Sequence, residues 1–224
     1  MRAVLTWQVN APEREGVTGP VYDICFNPAG SQLVIACGNL VLVYDATDGV
    51  LLHRLKGHKD TVYCLSYSKD GKRFSSGGAD KCVIIWKSTC EGILKYSHND
   101  SIQALCYNPV THQLASVSCS DFGFWSPDQK SVSKFKIGSK GLCCSWTSDG
   151  QFLAIGHFDG MVSIRAKDGS EKLRLPSKDS PIWCVIDIHP SPSSSDPNSS
   201  QTFVLPSSEL LSPLADHFQQ QPNL

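Results

Sequence analysis

No apolar stretch in this 224-residue chain approaches the roughly 18 residues that a membrane-crossing helix needs. The opening MRAVLTWQVNAPEREG also lacks an apolar segment long enough for a secretory signal. Neither sign of charge dominates, since 20 Lys and Arg face 21 Asp and Glu. A surface that neutralises duplex phosphates carries a basic excess, so no nucleic-acid partner is expected, nor an anionic membrane face. Among the ten cysteines there is no C-x-x-C, and no Cys/His set has zinc-finger spacing. No metal and no cofactor is therefore expected. The chain reads as soluble and intracellular, where thiols stay reduced and Cys packs as a small hydrophobe. The N-x-S/T triplets at Asn99 and Asn198 would then stay unmodified. A sustained 3.6-residue period is missing before residue 205, which leaves no amphipathic helix to propose.

What the sequence does contain is a repeat. The runs VYDICFNPAG, VYCLSYSKDG, IQALCYNPVTH, GLCCSWTSDG and IWCVIDIHPSP each join a β-rich stretch to a turn signal. Their last bulky residues, Phe26, Tyr67, Tyr107, Trp146 and Ile188, are separated by 41, 40, 39 and 42 positions. Within each period a second apolar run follows (QLVIACG, KRFSSGG, QLASVS, QFLAIG), then a third (NLVLVYD, KCVIIW, FGFW, MVSIR) and a fourth (VLLHRLK, GILKYS, SVSKFKI, EKLRLP). Four short strands with frequent turns predict an all-β chain. Four strands in about 40 residues make one β-propeller blade, a sheet too small to bury both faces unless its neighbours stack on it.

The predicted organisation is an N-terminal strand and loop at 1–19, then blades at 20–57, 58–96, 97–138 and 139–179. An incomplete blade starts at 180–188, and a Ser/Pro-rich disordered tail fills 189–224. Residues 10–19 read as a loop. Four blades with one orphan strand predict an open or poorly closed arc, with bare apolar faces at its ends.

Gly57-His58, Asp80 and Trp86 resemble the WD repeat, with Trp86-Lys87 in place of Trp-Asp. Tyr44-Asp45 closes the first repeat, and His98 and Trp125-Ser126 mark the third. The fourth ends in Arg165 and lacks the histidine. The resemblance implies a hydrogen-bonded tetrad of His58, Ser76, Asp80 and Trp86, and a partial one of His98, Ser116 and Trp125. These side chains can satisfy one another when buried, so the tetrad is read as structural. His58 with Asp80 looks like a catalytic dyad, yet no oxyanion donors, metal cluster or phosphate-cradling glycine loop accompany it, and no catalytic residue is expected.

Longer segments narrow the resemblance. LVYDATDG, LKGHKDTVYCLSYSKDGKRFSSGGADKCVIIW, SDFGFWSPDQKSVSK and CCSWTSDGQFLAIG are similar to the amino-terminal propeller of the intraflagellar transport protein 122 family. That resemblance implies a non-enzymatic scaffold in intraflagellar transport complex A. It would support retrograde ciliary transport, cilium assembly and ciliary entry of membrane proteins. The implied partners are other complex A subunits and ciliary membrane-protein cargo adaptors. The implied locations are cilium, basal body and cytoplasm. Alternative readings are a WD-repeat scaffold of a vesicle coat or a ubiquitin-ligase adaptor, or a short form with little activity. The charged turns KGHKD, SKDGKR and SHNDS are expected on the rims, where propeller loops carry function.

Overall fold

The computed structural model describes residues 7–9, 13–14, 17–128, 131–176, 179–188 and 201–205. All regular elements among them are strands. Two short strands, β1 (Glu13–Arg14) and β2 (Val17–Thr18), pair with each other first. Four antiparallel meanders of four strands then follow in chain order. The first is β3 (Val21–Phe26), β4 (Gln32–Cys37), β5 (Leu40–Asp45) and β6 (Leu51–Lys56). The second is β7 (Val62–Tyr67), β8 (Arg73–Gly78), β9 (Cys82–Lys87) and β10 (Gly92–Ser97). The third is β11 (Ile102–Tyr107), β12 (Leu114–Ser118), β13 (Asp121–Trp125) and β14 (Ser133–Lys136). The fourth is β15 (Gly141–Trp146), β16 (Phe152–His157), β17 (Val162–Ala166) and β18 (Glu171–Leu175).

Local chemistry sets the hairpins. Gly30, Gly71 and Gly150 close the first turn of the first, second and fourth sheets with φ near +70°, a conformation that a side chain resists. In the third sheet His112 takes that left-handed position at φ 58°. There Asn108 Oδ1 accepts from the Val110 and Thr111 amides, an Asx turn that holds the bend.

The core lies between sheets. Val34, Ala36, Val41 and Val43 of the first sheet pack on Val62, Leu65, Phe74, Ile84 and Trp86 of the second. Cys64, Val83 and Ile85 on the other face of the second meet Ile102, Leu105, Leu114 and Trp125 of the third. Phe122 and Phe124 then meet Trp146, Leu153 and Ile155 of the fourth. Strand alternation thus feeds each central sheet's two faces to two different neighbours. Fully burying side chains of this size contributes roughly 1.5–3 kcal/mol each, against their exposure.

The first strands β3, β7, β11 and β15 lie side by side along the inside of the arc. The arc does not close into a ring. Val62 and Ile102, which open β7 and β11, are fully buried, whereas Val21 at the same register in β3 is 48% exposed. Ile24 and Phe26 are each 56% exposed on that strand, and no four-stranded sheet among the described residues packs on that face. Trp7 caps another part of the first sheet. Its indole stacks on Tyr44, with centroids 6.5 Å apart, and donates to Ala46 O at 2.9 Å.

Two expectations need correction. Residues 10–19 are not all loop, because β1 and β2 form a small hairpin there. The segment 189–224 is not strandless either. β20 (Gln201–Leu205) pairs antiparallel with β19 (Cys184–Ile188) as a fifth, two-stranded sheet, and β19 takes the inner place after β15. QTFVL has the β-forming composition for this, but the Ser/Pro/Asn-rich stretch before it hid the signal. The remainder of that segment, and the opening MRAVLT, lie outside the described residues.

Candidate interaction surfaces and the buried tetrads

His58 leaves the link between β6 and β7 and turns inward beneath the second sheet, where it is 6% exposed. Its Nδ1 lies 3.0 Å from Asp80 Oδ1, and its Nε2 lies 2.8 Å from Ser76 Oγ. Trp86 Nε1 donates to the same Ser76 oxygen at 2.9 Å. A carboxylate only accepts and an indole N–H only donates, which fixes the direction of the chain. Trp86 donates to Ser76, the Ser76 hydroxyl donates to His58 Nε2, and His58 Nδ1–H donates to Asp80. Asp80 also accepts from the amides of Lys59 and Cys82. The structure therefore brings together all four residues of the predicted tetrad.

Protonation agrees with that direction. Burial pushes the His58 imidazole pKa below its ordinary value, against the opposing pull of Asp80. For Asp80, burial raises the pKa, but hydrogen bonds from His58 and the Lys59 amide together outweigh it and leave the carboxyl lowered. A neutral imidazole between a hydroxyl and a carboxylate satisfies every donor and acceptor.

The third sheet repeats the motif with two changes. His98 Nδ1 pairs with Asp121 Oδ1 at 2.9 Å, and its Nε2 lies 2.8 Å from Ser116 Oγ. Asp121 was not among the residues picked out from the sequence. It sits five positions after the serine, against four for Asp80, because a shorter β12–β13 turn moves it onto the first residue of the strand. Trp125 occupies the register of Trp86, opposite Leu114 as Trp86 is opposite Phe74. Ser116, however, receives the Tyr96 hydroxyl at 3.1 Å, and Trp125 instead packs with Leu94 and Tyr96 between sheets. The partial tetrad is thus His98, Ser116, Asp121 and Tyr96, with Trp125 outside it.

The fourth sheet also holds a histidine after all, delivered from another strand. His157 ends β16, accepts from Ser163 Oγ at 2.8 Å and donates from Nδ1 to Ser139 O at 3.2 Å. Arg165 stands in the tryptophan register. It pairs with Glu171 at 2.5 Å and lies over the Phe122 ring at 5.4 Å. Its guanidinium replaces an indole's flat surface with a charged one.

Besides the uncovered face of β3, the described residues expose the rim turns and a concave inner wall. The links KGHKD and SHNDS, each joining an outer strand to the next inner strand, fall on one rim of the arc, and SKDGKR falls on the opposite rim. The concave inner wall is the other surface. A cavity of about 290 Å³ is lined by Asp23 of β3, Tyr63 and Leu65 of β7, Gln103 of β11, Cys143 of β15 and, beside β19, Trp183. Five inner strands therefore face one space. Asp23 Oδ2 accepts the edge amide of Leu65 at 2.7 Å, and its Oδ1 accepts from Ile24. Burial raises the Asp23 carboxyl, and these two bonds partly offset it. Burial also pushes the Cys143 thiol up to about 12 and Cys64 well above its ordinary value, so both are neutral thiols. Among the described residues no group of three or more His, Cys, Asp or Glu could hold a metal ion. No described helix is long and apolar enough to cross a membrane.

Comparison with known proteins adds the following. The family model described as the IFT122 first beta-propeller matches residues 20–205. Over 188 residues the chain is 61% identical to an intraflagellar transport protein 122 homolog of Xenopus tropicalis, covering 83% of this chain and 16% of that relative. The Homo sapiens homolog is 60% identical over the same length, with 83% of this chain and 15% of the relative covered. The chain thus spans about a sixth of the length of the curated relatives it matches. Among solved structures, the Cps50 (Swd1) β-propeller domain superposes with a TM-score of 0.70 at 16% identity. It covers 84% of this chain and 71% of that one, which shows the shared propeller fold alone.

Proposed function

The chain belongs to the IFT122 first β-propeller family, and from that premise we propose that it is a non-enzymatic protein-interaction scaffold of intraflagellar transport complex A. It supports retrograde ciliary transport, cilium assembly and the ciliary entry of membrane proteins. Its partners are other subunits of that complex and cargo adaptors for ciliary membrane proteins, met at the cilium, the basal body and in the cytoplasm. The observation that carries this reading is the 61% identity over 188 residues. Stacked sheets alone constrain apolar positions and leave turns free to vary, so a likeness of fold without shared sequence would not carry it.

The same reading assigns the histidine chains to architecture. Both ring nitrogens of His58 and of His98 are already engaged, so neither is free to move a substrate proton. Function then rests on the rims and the concave wall.

The test is affinity capture of the tagged chain from ciliated cells, with a full-length relative as positive control. Recovery of complex A subunits supports the reading. Their absence while the control recovers them overturns it, and recovery of coat or cullin subunits in their place moves the chain to another assembly.

A further inference from the structure

We propose that the concave wall is a receptor for one cationic side chain, an arginine presented by an extended segment of a partner protein. This deepens the scaffold reading by naming a partner chemistry, but it stands on the cavity alone.

Asp23 is the one charged residue among the described residues lining the cavity. Its fellow lining residues are aromatic, apolar or neutral: Tyr63, Trp183, Leu105, Val185 and the thiols of Cys64 and Cys143, held protonated by burial. No described lysine or arginine forms an ion pair with it, and its shift arises from burial and two backbone amides with no cation among its causes. A partly buried carboxylate that accepts two backbone amides but meets no cation keeps an unbalanced charge in apolar surroundings. The two amide bonds fix the carboxyl in position, so an incoming cation needs no rearrangement of it.

The rings define which cation fits. Trp183 is 53% exposed, unlike the other tryptophans of the sheets, Trp86, Trp125 and Trp146, which are all under 9%. Tyr63 borders the same space and packs at 5.3 Å against Tyr22. A ring and a carboxylate that line one cavity both attract a cation, the ring through its quadrupole and the carboxylate through its charge. A planar guanidinium can stack on a ring and hydrogen-bond a carboxylate at once, which a compact ammonium cannot. At about 290 Å³ the space takes one long side chain and not a folded element.

The experiment uses the whole purified chain. The indole N–H resonance of Trp183, assigned with Trp183→Phe, is followed while the tripeptide acetyl-Gly-Arg-Gly-amide is added. The citrulline tripeptide serves as a neutral isostere and free arginine as the small-molecule source. A saturable shift with the arginine peptide is expected, together with roughly tenfold weaker binding for citrulline and for Asp23→Asn, the loss of one ion pair. Asn keeps an acceptor for the Leu65 amide. Should Asp23→Asn fail to fold, the citrulline comparison on the unaltered protein and the loss of affinity in Trp183→Leu decide the matter. No saturable shift, or equal affinity for citrulline, overturns the site. Tighter binding of free arginine than of the peptide overturns the protein-segment assignment. None of these outcomes depends on capture of complex A subunits, so failure here is distinguishable from failure of the scaffold reading.

Discussion

Gly77 lies directly beneath Ile102 of the next sheet: a Cβ on the glycine would stand 2.6 Å from Ile102 Cγ2 and 3.2 Å from Cys64 Sγ. Gly156 has the same relation to Ile182, at 2.7 Å. At the first boundary the pair is Ala36 with Val62, and at the third it is inverted, with Val117 over Gly141. Each boundary between sheets therefore holds one small and one large residue at equivalent register, and the summed volume stays near constant. Neither Gly77 nor Gly156 has a positive φ, so closeness and not backbone freedom selects glycine there.

Gly77→Ala is expected to destabilise the chain by about 1–3 kcal/mol through overpacking. Ile102→Ala alone should cost about 2–5 kcal/mol by leaving a cavity. Combined, the two changes should cost less than their sum by about 1 kcal/mol or more, since the new methyl enters the vacated space. Urea denaturation of the four proteins checks this. Simple additivity would mean that the sheets do not meet at this pair.

The tetrad of the second sheet gives a parallel expectation. Asp80→Ala removes the acceptor of His58 and of the Lys59 and Cys82 amides. Leaving the buried His58 donor unpaired, with the two amide bonds also lost, should lower stability by roughly 1–3 kcal/mol. Ser76→Ala strands both the Trp86 N–H and His58 Nε2, with a loss of similar size. Thermal melts matching the unaltered protein would remove the assignment.

Most of this architecture was legible because period and turn chemistry are local. The four-strand period placed β3 to β18, and Gly57-His58 with Asp80 and Trp86 placed one tetrad. What stayed hidden is what depends on contacts across the fold. His157 sits on a strand, not on the link between sheets, so no motif position announces it, and only burial beside Ser163 gives it a role. Tyr96 reaches Ser116 across sequence because Trp125 turns to the neighbouring sheet. β20 escaped since its partner β19 lies beyond a stretch of turn-forming residues. Asp23 reads as one acid in a strand until Leu65, 42 positions away, supplies its amide.

Tyr107 ties the third sheet to the second. Its hydroxyl lies 2.5 Å from Ser75 Oγ in a buried site, and burial holds its pKa above the ordinary phenol value. Tyr107→Phe should cost about 1–3 kcal/mol, because Ser75 keeps a buried hydroxyl with no partner. Adding Ser75→Ala should return part of that loss, since removing both polar groups leaves only an apolar contact. Chemical denaturation of the single and double variants reads the difference. An unchanged stability in Tyr107→Phe would show that the hydroxyl pair contributes nothing across this boundary.

Acid should weaken the fold in two stages. His58, His98 and His157 each have a pKa lowered by burial from the ordinary 6.5. In the unfolded chain they protonate near 6.5, while in the folded chain they stay neutral to lower pH. Between those values the unfolded state holds more protons, so stability falls as pH falls from neutral through that window. Each differing proton adds about 1.4 kcal/mol of loss per pH unit. Asp80 and Asp121 are lowered from 3.8 despite burial, by their histidine and hydroxyl or amide donors. Their contribution is present above the unfolded value and disappears as pH drops below it. Urea unfolding free energies at pH 7.5, 6.5, 5.5 and 4.5 should therefore decline steadily over the range, with up to three histidine protons setting the slope. Replacing His157 by Gln, which keeps a donor and an acceptor but cannot charge, should flatten that slope by up to one proton. A profile that is level between pH 7.5 and 5.5 would mean that the imidazoles protonate as readily in the sheets as in water, which the hydroxyl-donor geometry at Nε2 does not allow.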